Sequence, residues 1–371
     1  MSALPTGANS QTPQTPQPSQ TLQTPEKPAS TTAGKTATKA RTPMQGHKEL
    51  AEIQKFEKVV AIVTVITPFI GVIVAVALLF GGNYLHAVDL WMLLIMFALT
   101  TYGLTMGYHR LFTHKSFRCV KPVKAALCIA GSMAAQGSPL FWVAHHRKHH
   151  MHSDEEDDPH SPHFAGGGAK GILLGWWHSH VGWMFVNKPI SYFRLAPDLL
   201  RDSLVMGVTR RYFTWVFAGI LLPGVVSALF TWSWTGFFTG MLWGGLVRIF
   251  LVHHTTWSIN SVCHMFGGAP YESNDESRNN LACALLTFGE GWHNNHHAFP
   301  TSARHGLHWW QLDMVYILIK TLSFIGLTSD IRLPDAETMK SRRRSKKAAE
   351  EAGAIEAEEE APVVGGEPAS S

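Results

Sequence analysis

The chain has 371 residues, of which 46% are hydrophobic and only 16% are charged, and its formal net charge is +4. Soluble domains carry about 25% charged residues, so this composition favours a membrane protein. The small net charge gives no reason to expect nucleic acid as a partner. The four cysteines form no Cys-x-x-Cys pair, which argues against a zinc ribbon and against a disulfide framework.

Both ends of the chain are poor in large apolar side chains. Residues 1–45 are rich in Pro, Thr and Gln, and residues 336–371 hold a basic run followed by an acidic one. Segments of this kind bury too little apolar surface to offset the entropy lost on folding. We therefore predict two disordered tails, at 1–45 and 336–371, on either side of one membrane domain at 46–335.

Four segments between the tails are apolar enough to cross a bilayer, whose core requires about 20 residues of helix. The predicted spans lie at about residues 59–80, 88–108, 212–232 and 236–258. The uncharged stretch Tyr212–Val247 is too long for one span, and Ser233–Gly236 is expected to turn it into a hairpin. The last two spans are therefore antiparallel neighbours in an all-α fold.

Two further apolar segments need a different interpretation. Ala125–Val143 is uncharged, but it contains Gly and Pro residues, and as a span it would separate the histidine clusters described next. We expect it to be buried against other helices or to lie in the membrane interface. Met314–Leu327 is short and interrupted by Lys320, which is typical of an interfacial amphipathic helix.

Nine histidines recur in a pattern typical of metal ligands. They are His109, His114, His146, His149, His150, His264, His293, His296 and His297. Two triplets share the spacing i, i+3, i+4, which places three rings on one helical face. His109 and His114, five residues apart, do not share an α-helical face, so His114 should reach a metal from beyond the helix end.

The ligand type and number indicate the kind of centre. An all-imidazole set suits Fe, Cu, Ni or Zn better than Mg or Mn, and nine ligands exceed what one ion holds. We therefore predict an all-α membrane protein with four transmembrane helices, whose cytoplasmic helical cap carries a histidine-ligated di-metal site.

The distribution of cations predicts the orientation. The loop Gly81–Asp89 and the turn near residue 234 contain no Lys or Arg, whereas residues 108–211 and both tails contain many. The positive-inside rule places both termini and the long loop in the cytoplasm, and every histidine cluster falls on that side. In a bacterium this would be the inner membrane.

A redox-capable two-metal site under apolar helices suggests O₂-dependent oxidation of a lipid chain. The residues alone leave desaturation and hydroxylation of a fatty acid or alkane open. A metal transporter is the non-enzymatic alternative, but it predicts polar residues inside the spans, where this chain has almost none. A b-type cytochrome with paired axial histidines is a further alternative.

The histidine motifs resemble those of a known family. They read HRLFTH at 109–114, HRKHH at 146–150, NSVCH at 260–264 and GEGWHNNHHAFP at 289–300. They resemble the histidine boxes of membrane fatty acyl Δ9 desaturases, that is, the stearoyl-CoA desaturase family and its bacterial relatives. Asp158-Pro159-His160 and the HVGW motif at 180–183 also match that family, and the resemblance covers about residues 55–330.

The resemblance implies a reaction and its cofactors. The nine histidines would bind two iron ions, with Asn260 holding a water on one of them, and O₂ would be the cosubstrate. The product would be a cis double bond, at Δ9, in a long saturated acyl chain. Hydroxylases share the three-box pattern, but the NSVCH and GEGWHNNHH elements favour the Δ9 branch.

The resemblance also implies a bent substrate tunnel. Gln136, Trp142 and Thr256 stand where the animal enzymes have a hydrogen-bonded Gln, Trp and Thr beside the reacting carbons. Thr101 lies eight residues before His109, about 12 Å along a helix, and Phe97 one turn further, at about 18 Å. Both match positions near the closed end of the tunnel, although ordinary helix packing would also explain them.

Two departures from the animal enzymes concern the acyl carrier. Ala144-His145 replaces an Arg-Asp pair of the coenzyme A site, and Asn187-Lys188 replaces an Arg-Lys pair. Lys188 is the cation that remains to contact the substrate. We therefore expect acyl-CoA to be a poor substrate, with a membrane lipid or acyl-carrier protein as alternative carriers. His145, His178 and His305 are not among the expected ligands.

The chain contains no fused haem domain, flavin site or four-cysteine iron–sulfur motif. The two electrons that the reaction needs should therefore come from a separate protein on the cytoplasmic face. A ferredoxin or a cytochrome b5-like donor with its reductase would serve.

Overall fold

A computed structural model describes residues 43–82, 84–186 and 190–345. The chain divides into the units Met1–Glu49 and Leu50–Ser371. Of the first, the structure describes only residues 43–49, which begin the first helix, and all that follows concerns the second. The expected N-terminal tail, apart from its last three residues, lies outside the described residues, as do the last 26 residues of the C-terminal tail and Lys188.

Four helices are long and apolar enough to cross a membrane. They are Lys58–Gly81, Ala87–Thr113, Tyr212–Thr231 and Trp234–Ser261, called spans one to four below. The predicted all-α membrane fold with four spans is thereby confirmed. Spans two and four extend beyond their apolar stretches, because their last turns carry polar residues into the cap.

The helices are joined in the order of the chain. The α-helices are Pro43–Gly81, Ala87–Tyr102, Lys121–Met133, Pro139–Met151, Gly168–His180, Tyr192–Leu195, Pro197–Leu200, Ser203–Arg210, Tyr212–Thr231, Trp234–Gly240, Arg248–Ser261, Leu281–Leu286, His293–Ala298, Met314–Phe324 and Ala336–Ser341. Spans two and four contain π-helical stretches at Gly103–Thr113 and Met241–Val247. A 3₁₀ turn spans Gly182–Phe185, and the two-residue strands Arg118–Cys119 and Thr328–Ser329 pair antiparallel.

The apolar stretch 125–143 is divided between two helices. Lys121–Met133 ends before a tight turn in which Ala135 has φ 59° and Gly137 has φ 100°. Pro139–Met151 then begins with the Ser138 hydroxyl accepting a hydrogen bond from a backbone N–H and with proline at the first position. Neither helix is among the four candidate spans.

The structure corrects the start of the predicted C-terminal tail. Residues 336–345 are ordered: Ala336–Ser341 is a helix, and the arginines after it find carbonyl acceptors. Arg342 donates from Nη1 to the Ala298 carbonyl (2.6 Å), and Arg344 donates from Nε to the Tyr271 carbonyl (3.2 Å). These bonds fix the segment against the helix of the last histidine triplet, through Ala298, and against the loop that holds Tyr271.

Small residues set the approach of span two to the helix Lys121–Met133. A Cβ added at Gly103 would lie 2.8 Å from the Gly131 Cα and closer still to its nitrogen. A Cβ added at Gly131 would in turn meet the ring of Tyr108. Glycine at these crossings lets the two backbones touch, which is the usual basis of close helix packing in membranes.

We predict that Gly103→Ala destabilises the fold by about 1–3 kcal/mol, because the backbones must separate to admit the methyl group. Thermal unfolding in detergent, followed by tryptophan fluorescence, measures the change. Gly81→Ala is the matched control, since a Cβ at Gly81 meets nothing within 4 Å. Equal unfolding temperatures for the two variants would show that the crossing tolerates a methyl group.

Candidate metal centre

The nine histidines singled out from the sequence lie in two groups. In each group the candidate ligand atoms lie within 4.8 Å of one another. The first group is His109, His114, His146, His150 and His296, and the second is His149, His264, His293 and His297. The histidine clusters required by the predicted fold class are thus present, and the role of each ring as a ligand remains a proposal.

The Nε2 atoms face one another inside each group. In the first, the Nε2 atom of His296 lies 3.0 Å from that of His109 and 2.9 Å from that of His150. In the second, the Nε2 atoms of His264 and His293 are 3.1 Å apart. Each group therefore directs unshared nitrogen lone pairs at a common point, as a metal ion requires.

Each histidine triplet serves both groups, for a geometric reason. On an α-helix, residue i+4 is rotated by about 40° from residue i, whereas i+3 is rotated by about 60° the other way. His146 and His150 therefore join the first group, while His149 turns towards the second. In the last triplet the i, i+4 pair joins the second group, and only the i+3 ring, His296, joins the first.

The π-helical end of span two explains how His109 and His114 come together. In a π-helix the hydrogen bonds run from residue i+5 to residue i, so these positions lie one above the other. The His114 N–H donates to the His109 carbonyl at 3.1 Å. His114 follows directly after the helix end, as expected, and its ring centroid lies 4.8 Å from that of His109, with the two rings nearly perpendicular.

Four carboxylates, which the sequence reasoning did not assign, hold the outer nitrogens of the rings. The Nδ1 atom of His264 lies 2.8 Å from Asp154, and that of His149 lies 3.0 Å from Asp158. Glu290 makes a short contact with the Nδ1 atom of His109, and Asp275 makes one with His297. Such partners fix the tautomer and orientation of ligating rings. Two of them lie in quoted motifs, Asp-Pro-His and Gly-Glu-Gly, which was the available signal.

Burial and neighbouring charge determine the ionisation of these groups. Burial, reinforced by neighbouring histidines, holds the pKa values of His146, His150 and His296 well below their usual range. Burial alone would raise the pKa of Asp158, but His149 and His160 outweigh it and hold that pKa below its usual range. At neutral pH these three imidazoles are therefore neutral and Asp158 is anionic, which are the states that metal binding needs.

Several inward nitrogens have no partner in the protein. The Nε2 atoms of His114, His149 and His297 are buried without a hydrogen bond. An unsatisfied buried polar group costs about 1–3 kcal/mol, and proteins rarely retain several together. A metal ion in each group would satisfy them, so the residues present fit a di-metal centre.

A largely apolar cavity of about 650 Å³ reaches the histidine groups. Gln136, Trp142 and Thr256, the predicted tunnel residues, all line it. Gln136 and Thr256 both donate to the Val252 carbonyl, at 3.3 and 2.7 Å. The Trp142 ring packs 4.9 Å from the His146 ring, between centroids, and so lies beside the first group. Asn260 also lines the cavity.

The two positions expected at the closed end are not in the cavity wall. Leu104 and Thr105 supply the wall on span two. Thr101 is buried one turn behind Thr105, whose hydroxyl donates to the Thr101 carbonyl at 2.8 Å. Phe97 packs edge-on against Phe288. In this structure, these two residues therefore support the wall from behind.

Two histidines excluded from the ligand set differ in their surroundings. His145 lines the cavity and contacts the Phe141 carbonyl at 2.9 Å, outside both groups. His305, by contrast, is fully buried, and its ring centroid lies 4.5 Å from that of His296. It follows the last motif in sequence with no recognisable spacing, so sequence reasoning missed its closeness to the centre.

Comparisons with known proteins place the chain in a family. Residues 87–323 match the family model for fatty acid desaturases. The chain is 42% identical to the hex-5-enoyl-[acyl-carrier protein] acetylenase of Moorena producens, over 75% of this chain and 87% of that protein. It is 40% identical to the sn-1 stearoyl-lipid 9-desaturase of Anabaena variabilis, over 63% of this chain and 79% of that protein.

A third relative acts on another carrier and position. The chain is 37% identical to the acyl-CoA C20 Δ5-desaturase of Anemone leveillei, over 69% of this chain and 78% of that protein. The family match covers spans two to four, both histidine groups and all of the cavity-lining residues except Val60, Ala61 and Thr64 on span one. The chain therefore belongs to the fatty acid desaturase family.

Proposed function

We propose that this oxidoreductase introduces a cis Δ9 double bond into a long saturated acyl chain, using O₂, two iron ions and an external electron donor. The observation that carries the proposal is the meeting of two histidine groups with one apolar cavity. His109 and His146 of the first group and His293 of the second all line that cavity. A chain lying in it would have its methylenes beside both groups.

Two iron ions suit the donor set. Nine imidazoles match Fe better than Mg or Mn, and O₂-dependent oxidation needs a redox-active metal. Iron would supply the O₂ activation that removes one hydrogen from each of two neighbouring methylenes. O₂ then receives two electrons from the acyl chain and two from the donor, with two protons from solvent, and leaves as two waters.

The protein's own residues would position the chain and exclude water. The cavity wall is mostly apolar, and Trp142 lines it beside the His146 ring, where it would contact a bound chain. Holding one C–C bond against the centre turns a difficult encounter into an oriented reaction. Asn260, which lines the same cavity, is proposed to hold a water near the second group.

The first prediction concerns His264, the histidine outside the repeated motifs. His264→Ala should lower the iron content from about two ions per chain to about one and abolish desaturation, because the second group keeps only three rings. Metal analysis of the purified protein measures this. His178→Ala, outside both groups, should retain both ions. Full iron and activity in His264→Ala would remove this ring from the ligand set.

The second prediction concerns the reaction. When the protein is expressed in a host that lacks unsaturated fatty acids, growth should be restored and cis-9 monoenes should form. Mass spectrometry of dimethyl disulfide adducts locates the double bond. His264→Ala at equal expression should yield none. Hydroxy fatty acids in place of alkenes would instead identify a hydroxylase, and alkenes at another position would overturn the Δ9 assignment.

For the carrier we propose a membrane lipid. The cavity wall includes Val60 and Thr64 in the first turns of span one, and Tyr212 and Phe213 at the start of span three. Both spans begin at the membrane boundary there, so a chain still attached to a lipid can enter from the bilayer. The absence of cations at Ala144-His145 agrees with this choice.

The third prediction tests this carrier. Supplied with reduced donor, the purified enzyme should desaturate stearoyl chains in phosphatidylglycerol vesicles at least 10-fold faster than stearoyl-CoA. Lys148 and Arg210 line the cavity and offer cations for a lipid phosphate. Arg210→Gln should therefore raise KM for the lipid, whereas Arg201→Gln should not. Ready use of stearoyl-CoA while the phospholipid stays saturated would contradict the proposal.

The fourth prediction concerns chain length. Because Thr105 lies in the cavity wall and Thr101 behind it, Thr105→Phe should shift the preferred substrate to shorter chains more strongly than Thr101→Tyr. Phe97→Ala should admit longer chains only if the cavity wall moves into the space that the Phe97 ring vacates. Fatty-acid profiles of cells expressing each variant give the answer. Unchanged profiles with iron content intact would place the closed end elsewhere.

The electron donor and the orientation are proposed together. A separate ferredoxin or cytochrome b5-like protein would deliver electrons on the side where both histidine groups lie. The cation-rich loop between spans two and three supports a cytoplasmic position for that side. Labelling of single cysteines by a membrane-impermeant reagent in intact cells distinguishes the two orientations.

A further inference from the structure

Two buried histidines outside the nine stand behind the carboxylates of the centre. His305 is fully buried, and its Nδ1 atom lies 3.4 Å from Glu290 Oε2, the oxygen that also contacts the Nδ1 atom of His109. The His305 ring also packs against His296, with 4.5 Å between centroids. This residue thus touches two parts of the first group, one on span two and one in the last triplet.

The same arrangement recurs at the second group. His160 is 4% exposed, and its Nδ1 atom lies 3.6 Å from Asp158, the carboxylate that holds the Nδ1 atom of His149. Its ring packs against that of His149, with 4.4 Å between centroids. At each histidine group, a carboxylate therefore contacts both a ring of the group and an outer histidine.

We propose that His160 and His305 are positioning residues, one for each metal site, which hold Asp158 and Glu290 in place against His149 and His109. The inference rests on the proposed di-iron function. Each outer ring adds a further contact to a carboxylate whose rotation towards the metal would let it compete with imidazole as a ligand. Partners at this distance from a metal commonly change its affinity by about 10–100-fold.

The charges around the carboxylates argue against a third metal ion at either place. Arg110, a fully buried guanidinium, donates from Nε to Glu290 Oε1 at 3.0 Å, and its Nη2 lies 2.9 Å from the same oxygen. Another cation beside Glu290 would be repelled by this arginine. The Asp158 oxygens already accept the backbone N–H groups of Asp154 and His160, at 2.9 and 3.0 Å.

Four variants of the full-length protein, loaded with ⁵⁷Fe, test the proposal. His305→Phe and His160→Phe keep a ring of similar shape and remove its nitrogens, while His305→Gln and His160→Gln restore a hydrogen-bonding group. Each Phe variant should change a different quadrupole doublet in the Mössbauer spectrum. Each should also release iron to a chelator about 10-fold faster than wild type. The Gln variants should recover much of the wild-type spectrum and release rate.

His253→Phe is the matched control, because His253 is 1% exposed and contacts the Ala134 carbonyl at 2.9 Å, away from both groups. It should leave both doublets unchanged. Unchanged spectra and release rates in the Phe variants would overturn the proposal, as would changes confined to one shared doublet. Gln variants as impaired as the Phe variants would show that the rings act by packing alone.

Two further results, a variant that does not fold and a wild type that binds no iron, are distinguishable from these outcomes. If a Phe variant fails to fold, the Gln variant at that position carries the test, since a positioning role predicts a native spectrum and release rate near wild type. A wild-type protein that binds no iron would refute the proposed function itself. That result is distinct from the case in which the wild type binds iron but the variants at His160 and His305 give the same spectrum as the wild type.

Discussion

The two histidine groups depend on one constraint: their nine imidazoles are buried or half-buried with Nε2 atoms directed inward, so their outer nitrogens need partners that face away from the group. An unpartnered buried polar group costs about 1–3 kcal/mol, and the carboxylates of Asp154, Asp158, Asp275 and Glu290 remove that cost at four rings. The inward Nε2 atoms of His114, His149 and His297 stay unpartnered, as do the outer Nδ1 atoms of His293 and His296. A metal ion in each group would offset the cost at the inward atoms.

A buried ion network connects this constraint to the membrane domain. Arg110, on the last turns of span two, contacts Glu290 and donates from Nη1 to Asp313 at 3.0 Å. Asp313 also accepts the backbone N–H groups of His305 and Gly306, at 2.7 and 3.2 Å. A charge removed from such a network leaves its partner buried and unpaired, which is strongly destabilising. The first histidine pair and the last triplet are therefore held in register by charge.

The sequence pattern predicted those features that depend on residues near one another in the chain. Hydropathy identified the four spans, and the i, i+3, i+4 spacing identified two histidine triplets on helices. The spacing could not show that His149 and His296 belong to a different group from the other two rings of their triplets. That assignment depends on the positions of all the rings in the folded chain. Nor could the spacing assign Glu290 to His109, a contact between residues 181 positions apart. The ordered segment 336–345 was missed for the same reason, because its arginines are held by carbonyls of distant loops.

The division between centre and cavity explains how one family can differ in product. The three relatives named above are named for different bonds and carriers, yet each is 37–42% identical to this chain over 63–75% of its length. In the proposed reaction the histidine groups supply the oxidation, whereas the cavity wall determines how much of the acyl chain fits beside them. On span two that wall includes Leu104 and Thr105, with Thr101 one turn behind Thr105. A change of one helical turn, about 5.4 Å, corresponds to roughly four methylenes of extended chain. Substitutions along this helix are therefore expected to change the length of chain that is accepted, while the histidine groups stay in place.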